Sequence, residues 1–242
     1  MNLASLKPTI VLVHGAFEDA SIWNVVIQRL QRVGYPVVAF ANPLLGVAVD
    51  AAYLRSVLNR IEGSVILVAH SYGGAIITEA GANEPKVKGL VYAAAVMPAA
   101  GEAASQLIER FPGSSFPTSV DAVPYSLPDG TSGTYLLYQP AKFHSQVAAD
   151  VPASEVALMI ATQRPMNLAA LNEKLTSAAW TSKPSWQIRT LQDLAIPLAE
   201  QKFEADRAHS HVVEVDSSHA VTVSNPDVVA DVIEEAARAA QK

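Results

Sequence analysis

Apolar and polar positions follow two rhythms along this chain. Short, unbroken apolar runs such as Thr9-Ile10-Val11-Leu12-Val13 and Ser64-Val65-Ile66-Leu67-Val68-Ala69 read as strands covered on both faces. Longer segments between them repeat apolar residues every three or four positions. Ile22, Trp23, Val25, Val26, Leu30 and Val33 predict a first helix, ended by Gly34. A strand at Pro36–Phe40, a helix from Val49 to Ile61 closed by Gly63, a helix over Ala75–Ala82 and a strand over Val87–Ala94 continue the series. Towards the C-terminus come a strand at Ser185–Thr190, a helix from about Pro197 to Ala208, a strand at His211–Val215 and a last helix over Pro226–Ala240. Val228, Val229, Val232 and Ile233 line one side of that last helix and predict a core-facing stripe. Alternating strands and helices of this kind are the sequence form of βαβ units around a parallel sheet.

Residues 98–184 break the rhythm. They are rich in proline, carry a Pro128-Asp129-Gly130 turn between Tyr125 and Tyr135 that predicts a small hairpin, and hold helix-like stretches at Ser154–Ala161 and Leu168–Thr176. The expected architecture is α/β: a doubly wound, mostly parallel sheet of about six strands, formed by residues 1–97 and 185–242. An inserted, mainly helical cap is expected over 98–184.

Composition narrows the chemistry. None of the 242 residues is cysteine, which removes a disulfide framework, a thiolate metal site and a thiol nucleophile. With 17 basic and 23 acidic residues the formal charge is −6, so neither nucleic acid nor an anionic membrane surface is expected as a partner. Met1-Asn2-Leu3-Ala4-Ser5-Leu6-Lys7-Pro8 lacks a basic region followed by an apolar run, and no apolar stretch approaches the ~20 residues of a membrane span. A cytoplasmic protein with a small-molecule partner is expected, and a homodimer is left open.

Three motifs sit where strands end. Ala69-His70-Ser71-Tyr72-Gly73-Gly74 lies between a buried strand and a helix, the place for a nucleophile elbow that lifts a serine hydroxyl above the sheet. A serine that merely caps the helix is the plainer reading. His14-Gly15-Ala16-Phe17 closes the first strand, where glycine lets the chain turn and aim the Ala16 N–H at the same edge. With the Tyr72 N–H it would form a two-donor oxyanion hole, whereas an ordinary strand-ending turn is the alternative. Asp216-Ser217-Ser218-His219-Ala220 follows the last strand and offers His219 as general base. Asp193, after the fifth strand, is the expected orienting acid. Glu102 competes for that role, Asp216 reads as a loop cap, and Asp193 as a plain helix-start acid is the remaining alternative. The chain order Ser71, Asp193, His219 is the order of α/β-hydrolases.

Together these residues resemble the α/β-hydrolase family over almost the whole chain, and most nearly small bacterial esterase-like members related to the plant methylesterase and hydroxynitrile lyase branch. The cap stretches Asp150-Val151-Pro152, Gln163-Arg164-Pro165 and Pro184-Ser185-Trp186 share the resemblance. Ala69 stands where the elbow usually begins with glycine, and the family's leading strands are not expected. The resemblance implies a Ser71–His219–Asp193 triad with the Ala16 and Tyr72 amides as oxyanion hole. It also implies a carboxylesterase-type serine hydrolase that cleaves small, mainly apolar esters through an acyl-enzyme without metal or organic cofactor. Hydroxynitrile lyase-type or other non-hydrolytic chemistry on the same triad is one alternative, although the related lyases place a lysine near the histidine and none lies near His219. A non-catalytic small-ligand receptor is another. The cap aromatics and methionines predict an apolar pocket, with Phe17, His70, Phe111, Tyr125, Tyr138 and Met159 as candidate substrate-binding residues. Arg164 reads as a surface or cap-to-sheet salt bridge rather than a clamp for a substrate carboxylate.

Overall fold

The computed structural model describes residues 7–241, so the Met1–Leu6 segment read above for a leader lies outside the described residues. The chain runs β1 (Thr9–Val13), α1 (Asn24–Arg32), β2 (Val37–Phe40), α2 (Val47–Leu58), β3 (Val65–Ser71), α3 (Gly73–Gly81) and β4 (Val87–Ala95). Next come α4 (Ala104–Arg110), β5 (Val120–Ser126), β6 (Ser132–Tyr138), α5 (Pro140–Val147), α6 (Ala153–Ala161), β7 (Met166–Asn167) and α7 (Leu168–Asn172). The chain ends with β8 (Ser185–Thr190), α8 (Leu198–Ala208), β9 (His211–Val215), α9 (Val221–Ser224) and α10 (Pro226–Ala239).

Six strands form one sheet in the order β2-β1-β3-β4-β8-β9, every neighbouring pair parallel. Side chains alternate between the faces, so each apolar run feeds two cores. Ile10, Leu12, Ile66, Val68, Val91 and Ile188 pack on α1 and α10. Val11, Val13, Val65, Leu67, Ala69 and Tyr92 pack on α2, α3 and the segment between β4 and β8. Strands need both faces covered to read as continuous apolar runs, and here both are.

From β1 the chain winds to β2 on one side and then crosses to β3 on the other. That reversal opens a crevice at the carboxyl ends of β1 and β3, the place where doubly wound sheets bind ligands.

The hairpin expected at Pro128-Asp129-Gly130 is β5–β6, paired antiparallel from Val120↔Tyr138 to Ser126↔Ser132 and extended by β7. Between β4 and β8 four helices therefore share the space with a three-stranded sheet. Two boundaries differ from expectation. α3 begins at Gly73, two residues early, because β3 ends with only Tyr72 in between, and the predicted helix over Leu168–Thr176 stops at Asn172. There the Thr176 and Ser177 amides turn to donate to the Glu79 carboxylate instead of continuing the helical ladder. Val229, Val232 and Ile233 of α10 are buried, as the stripe predicts.

Candidate active site

Ser71 is the last residue of β3 and takes φ = +52°, a left-handed conformation that costs a residue with a Cβ on the order of 1–3 kcal/mol. The surroundings impose it. The Ser71 carbonyl accepts the Val96 N–H at 3.2 Å, and the register to β4 shifts between His70 and Ser71. Flanking glycines make room: a Cβ at Gly73 would stand 2.7 Å from the Val13 carbonyl oxygen, and one at Gly15 would stand 2.5 Å from the Ser71 Cβ. The missing glycine at Ala69 costs nothing visible, since Ala69 lies within regular β1–β3 and β3–β4 pairing.

The ends of β3, β8 and β9 converge. Ser71 Oγ lies 2.9 Å from His219 Nε2, and His219 Nδ1 lies 2.8 Å from Asp193 Oδ2. A carboxylate only accepts, so Nδ1 carries the proton and Nε2 is free to accept from the serine hydroxyl. Asp193 Oδ2 also accepts from Thr190 Oγ1 at 2.9 Å, and Oδ1 accepts the Ala195 and Ile196 amides at 2.8 and 2.9 Å. Burial opposes a charge on Asp193, but His219 and these donors outweigh it and hold the carboxyl below its ordinary range. Glu102, the competing acid, sits elsewhere and pairs with Arg207 and the Ala99 amide. Asp216 accepts from Gln192.

Ala16 and Tyr72 flank Ser71 from the ends of β1 and β3, and both face one cavity. Their N–H groups donate to no acceptor among the described residues.

The cavity encloses about 690 Å³ including its mouth. Its floor is Ala16, Phe17, Glu18, Ser71, Tyr72 and His219, and Ala104, Ile108, Phe116, Tyr138, Phe143, Val147, Met166 and Leu171 form much of its wall. Phe17 and Tyr138 thus stand where expected, their rings packed edge-to-face at 5.7 Å. Four other candidates do not line it. His70 is buried behind the site, Phe111 leaves the cavity to pack on Phe203 at 5.2 Å, and Tyr125 stacks on Tyr135 across the hairpin at 6.0 Å. Met159 points into the core under α6. Phe116, Phe143 and Met166, aromatic and methionine side chains outside that candidate set, line it instead.

Arg164 does tie the cap stretch to the sheet, but by donating to the Asn42 carbonyl at 2.9 Å, not to an acid. Two acids near the site escaped the sequence reading. Asp150 accepts the Ser218 amide at 3.1 Å and the hydroxyls of Ser217 and Ser218, so it fixes the loop that carries His219. Glu18 lies in the turn after β1, buried against His70. Behind Asp193, Glu200 and Glu204 of α8 are fully buried, and both Glu200 oxygens lack partners among the described residues. Burial, reinforced by the Asp193 charge, pushes Glu200 up to about 8.

The profile of the alpha/beta hydrolase family matches residues 10–232. The chain is 28% identical to the alpha/beta hydrolase nvfD of Aspergillus novofumigatus, over 96% of this chain and 97% of that one. It is 27% identical to the pyrethroid hydrolase of Sphingobium wenxiniae, over 93% and 85%. Its fold superposes on polyneuridine aldehyde esterase with a TM-score of 0.83 at 21% identity, covering 95% of this chain and 98% of that one.

Proposed function

The chain belongs to the alpha/beta hydrolase family, and from that premise we propose that it is a serine carboxylesterase that cleaves small, mainly apolar esters through an acyl-enzyme. The observation that carries the reading is the unbroken row Ser71 Oγ, His219, Asp193 at 2.9 and 2.8 Å, opening on an apolar cavity. A carbendazim hydrolyzing esterase among its relatives, and esterase names among its fold neighbours, support the same class.

In this mechanism His219 Nε2 takes the Ser71 proton as Oγ attacks the ester carbonyl carbon. The carbonyl oxygen becomes an oxyanion, and the Ala16 and Tyr72 N–H groups receive it. Such donors are worth on the order of 10²–10³ each in rate. Asp193 holds the imidazole in the required tautomer and stabilises its charged form. His219 then gives the proton to the departing alkoxide, leaving an acyl group on Ser71. Water, deprotonated by His219, attacks that acyl carbon; the bond to Ser71 Oγ breaks, His219 returns the proton to Oγ, and the acid leaves. The apolar wall suits a hydrocarbon or aryl portion, and Ser71, His219 and Glu18 are among the few polar side chains that line the cavity.

Ser71→Ala tests the assignment. Turnover of p-nitrophenyl butyrate should fall to background while the circular dichroism spectrum and thermal midpoint stay unchanged. Retained turnover in the folded variant refutes it.

A further inference from the structure

Glu18 and His70 form a buried carboxylate–imidazole pair that the mechanism above leaves unused. Glu18 Oε1 lies 2.6 Å from His70 Nδ1 and also accepts the Gly15 N–H at 2.5 Å. His70 Nε2 lies 2.8 Å from the carbonyl oxygen of His219. A carbonyl can only accept, so Nε2 carries a proton. With a carboxylate on its other nitrogen, the ring is doubly protonated. Burial works against both charges, yet each partner outweighs it for the other: His70 is held above its ordinary range and Glu18 below. The titratable groups facing the pair are His14, whose burial disfavours its charged form, and Asp193, with the His219 ring 4.7 Å from that of His70.

The placement is what matters. Gly15 immediately precedes Ala16, one of the two proposed oxyanion donors, and Gly15 packs so tightly that a Cβ there would stand 2.9 Å from Glu18 Oε1. At its other end the pair grips the main chain of His219, the proposed base. One buried unit therefore joins the turn after β1 to the loop after β9, two segments with no strand pairing between them. We propose that Glu18 and His70 are positioning residues that set the Ala16 N–H and the His219 imidazole in register across Ser71. The proposal rests on the serine esterase reading. Misplacement of a reacting group by about 1 Å can cost on the order of 10²-fold in rate, so loosening this brace should appear in turnover before it appears in binding.

The experiment compares wild type with Glu18→Gln, His70→Asn and the double variant on p-nitrophenyl butyrate. Thermal midpoints and inactivation by diethyl p-nitrophenyl phosphate are followed in parallel. Glu18→Gln keeps an acceptor for Gly15 N–H but removes the charge. Expected are a fall in kcat of about 10-fold or more for each single variant, a KM within about twofold, and a double variant no worse than the poorer single, as befits residues acting as one unit. A kcat within twofold of wild type in folded Glu18→Gln overturns the proposal, and so do losses that multiply in the double variant. If His70→Asn does not fold, Glu18→Gln alone decides. The organophosphate separates the two readings: a wild type that it leaves active refutes the serine esterase assignment. A wild type that it inactivates, alongside fully active variants, refutes only the brace.

Discussion

Gly73→Ala probes how finely the two proposed oxyanion donors are spaced. The added methyl would stand 2.7 Å from the Val13 carbonyl oxygen and 2.9 Å from that of His14, both main-chain atoms that cannot swing aside. Carbon and carbonyl oxygen rest at about 3.3–3.6 Å, so the start of α3 must retreat from the end of β1 by roughly half an ångström or more. Val13 and His14 lead directly into Gly15 and Ala16, and Tyr72 directly precedes Gly73. The retreat therefore widens the gap between the Ala16 and Tyr72 amides. Losing one donor outright is worth on the order of 10²–10³, and a partial loss should lower kcat by about 10- to 100-fold with KM nearly unchanged. Overpacking costs about 1–3 kcal/mol, offset by up to about 1 kcal/mol because alanine favours a helix over glycine. The control is Gly81→Ala at the far end of α3, where the methyl meets Ala179 and Leu67 side chains at 3.3 Å. That variant should shift the melting midpoint and spare kcat. Steady-state kinetics with calorimetry on both variants decides the matter. Equal kcat losses in the two, or a Gly73→Ala enzyme within twofold of wild type, would refute the reasoning.

Three further variants test the acid groups. Asp193→Asn should lower kcat by about 10⁴-fold, because an amide can hold the imidazole in the wrong tautomer, while Glu102→Gln should stay within a few-fold of wild type. The reverse order in steady-state assays would move the orienting role to Glu102. Glu200→Gln addresses stability against pH. The folded chain keeps the Glu200 proton up to about pH 8, whereas the unfolded chain releases it near 4.5, so stability falls as pH rises through that window. The slope is at most about 1.4 kcal/mol per pH unit. Urea midpoints at pH 5, 7 and 9 should show the variant gaining on wild type with each step up in pH, and parallel curves would rule the explanation out.

The strands of the sheet and the residues of the row Ser71, His219, Asp193 were legible because each is announced locally: an apolar run, then a small or polar motif where the run stops. Partners far apart in the chain were not. Glu18 stands beside Asp19 with nothing local to single it out, and its meaning depends on His70, 52 residues on. Asp150 likewise gains its role only beside Ser217 and Ser218. The cap aromatics were hardest, since hairpin and helix patterns say which residues are apolar but not which side faces the cavity. Tyr125 and Met159 turned away from it, while Phe143 and Met166 turned in. Arg164 was read as a surface or cap-to-sheet salt bridge, but its partner is a carbonyl oxygen, which no side-chain count reveals.

The row that joins Ser71 to His219 closes a loop of 148 residues. No fragment of the sheet can assemble it: β8 and β9, which bring Asp193 and His219, dock only after the chain between β4 and β8 has been spanned. Parallel pairing across such separations is among the slower events in folding. The proposed esterase activity would thus report on the finished molecule, and a refolding population should regain its helices before it regains any turnover.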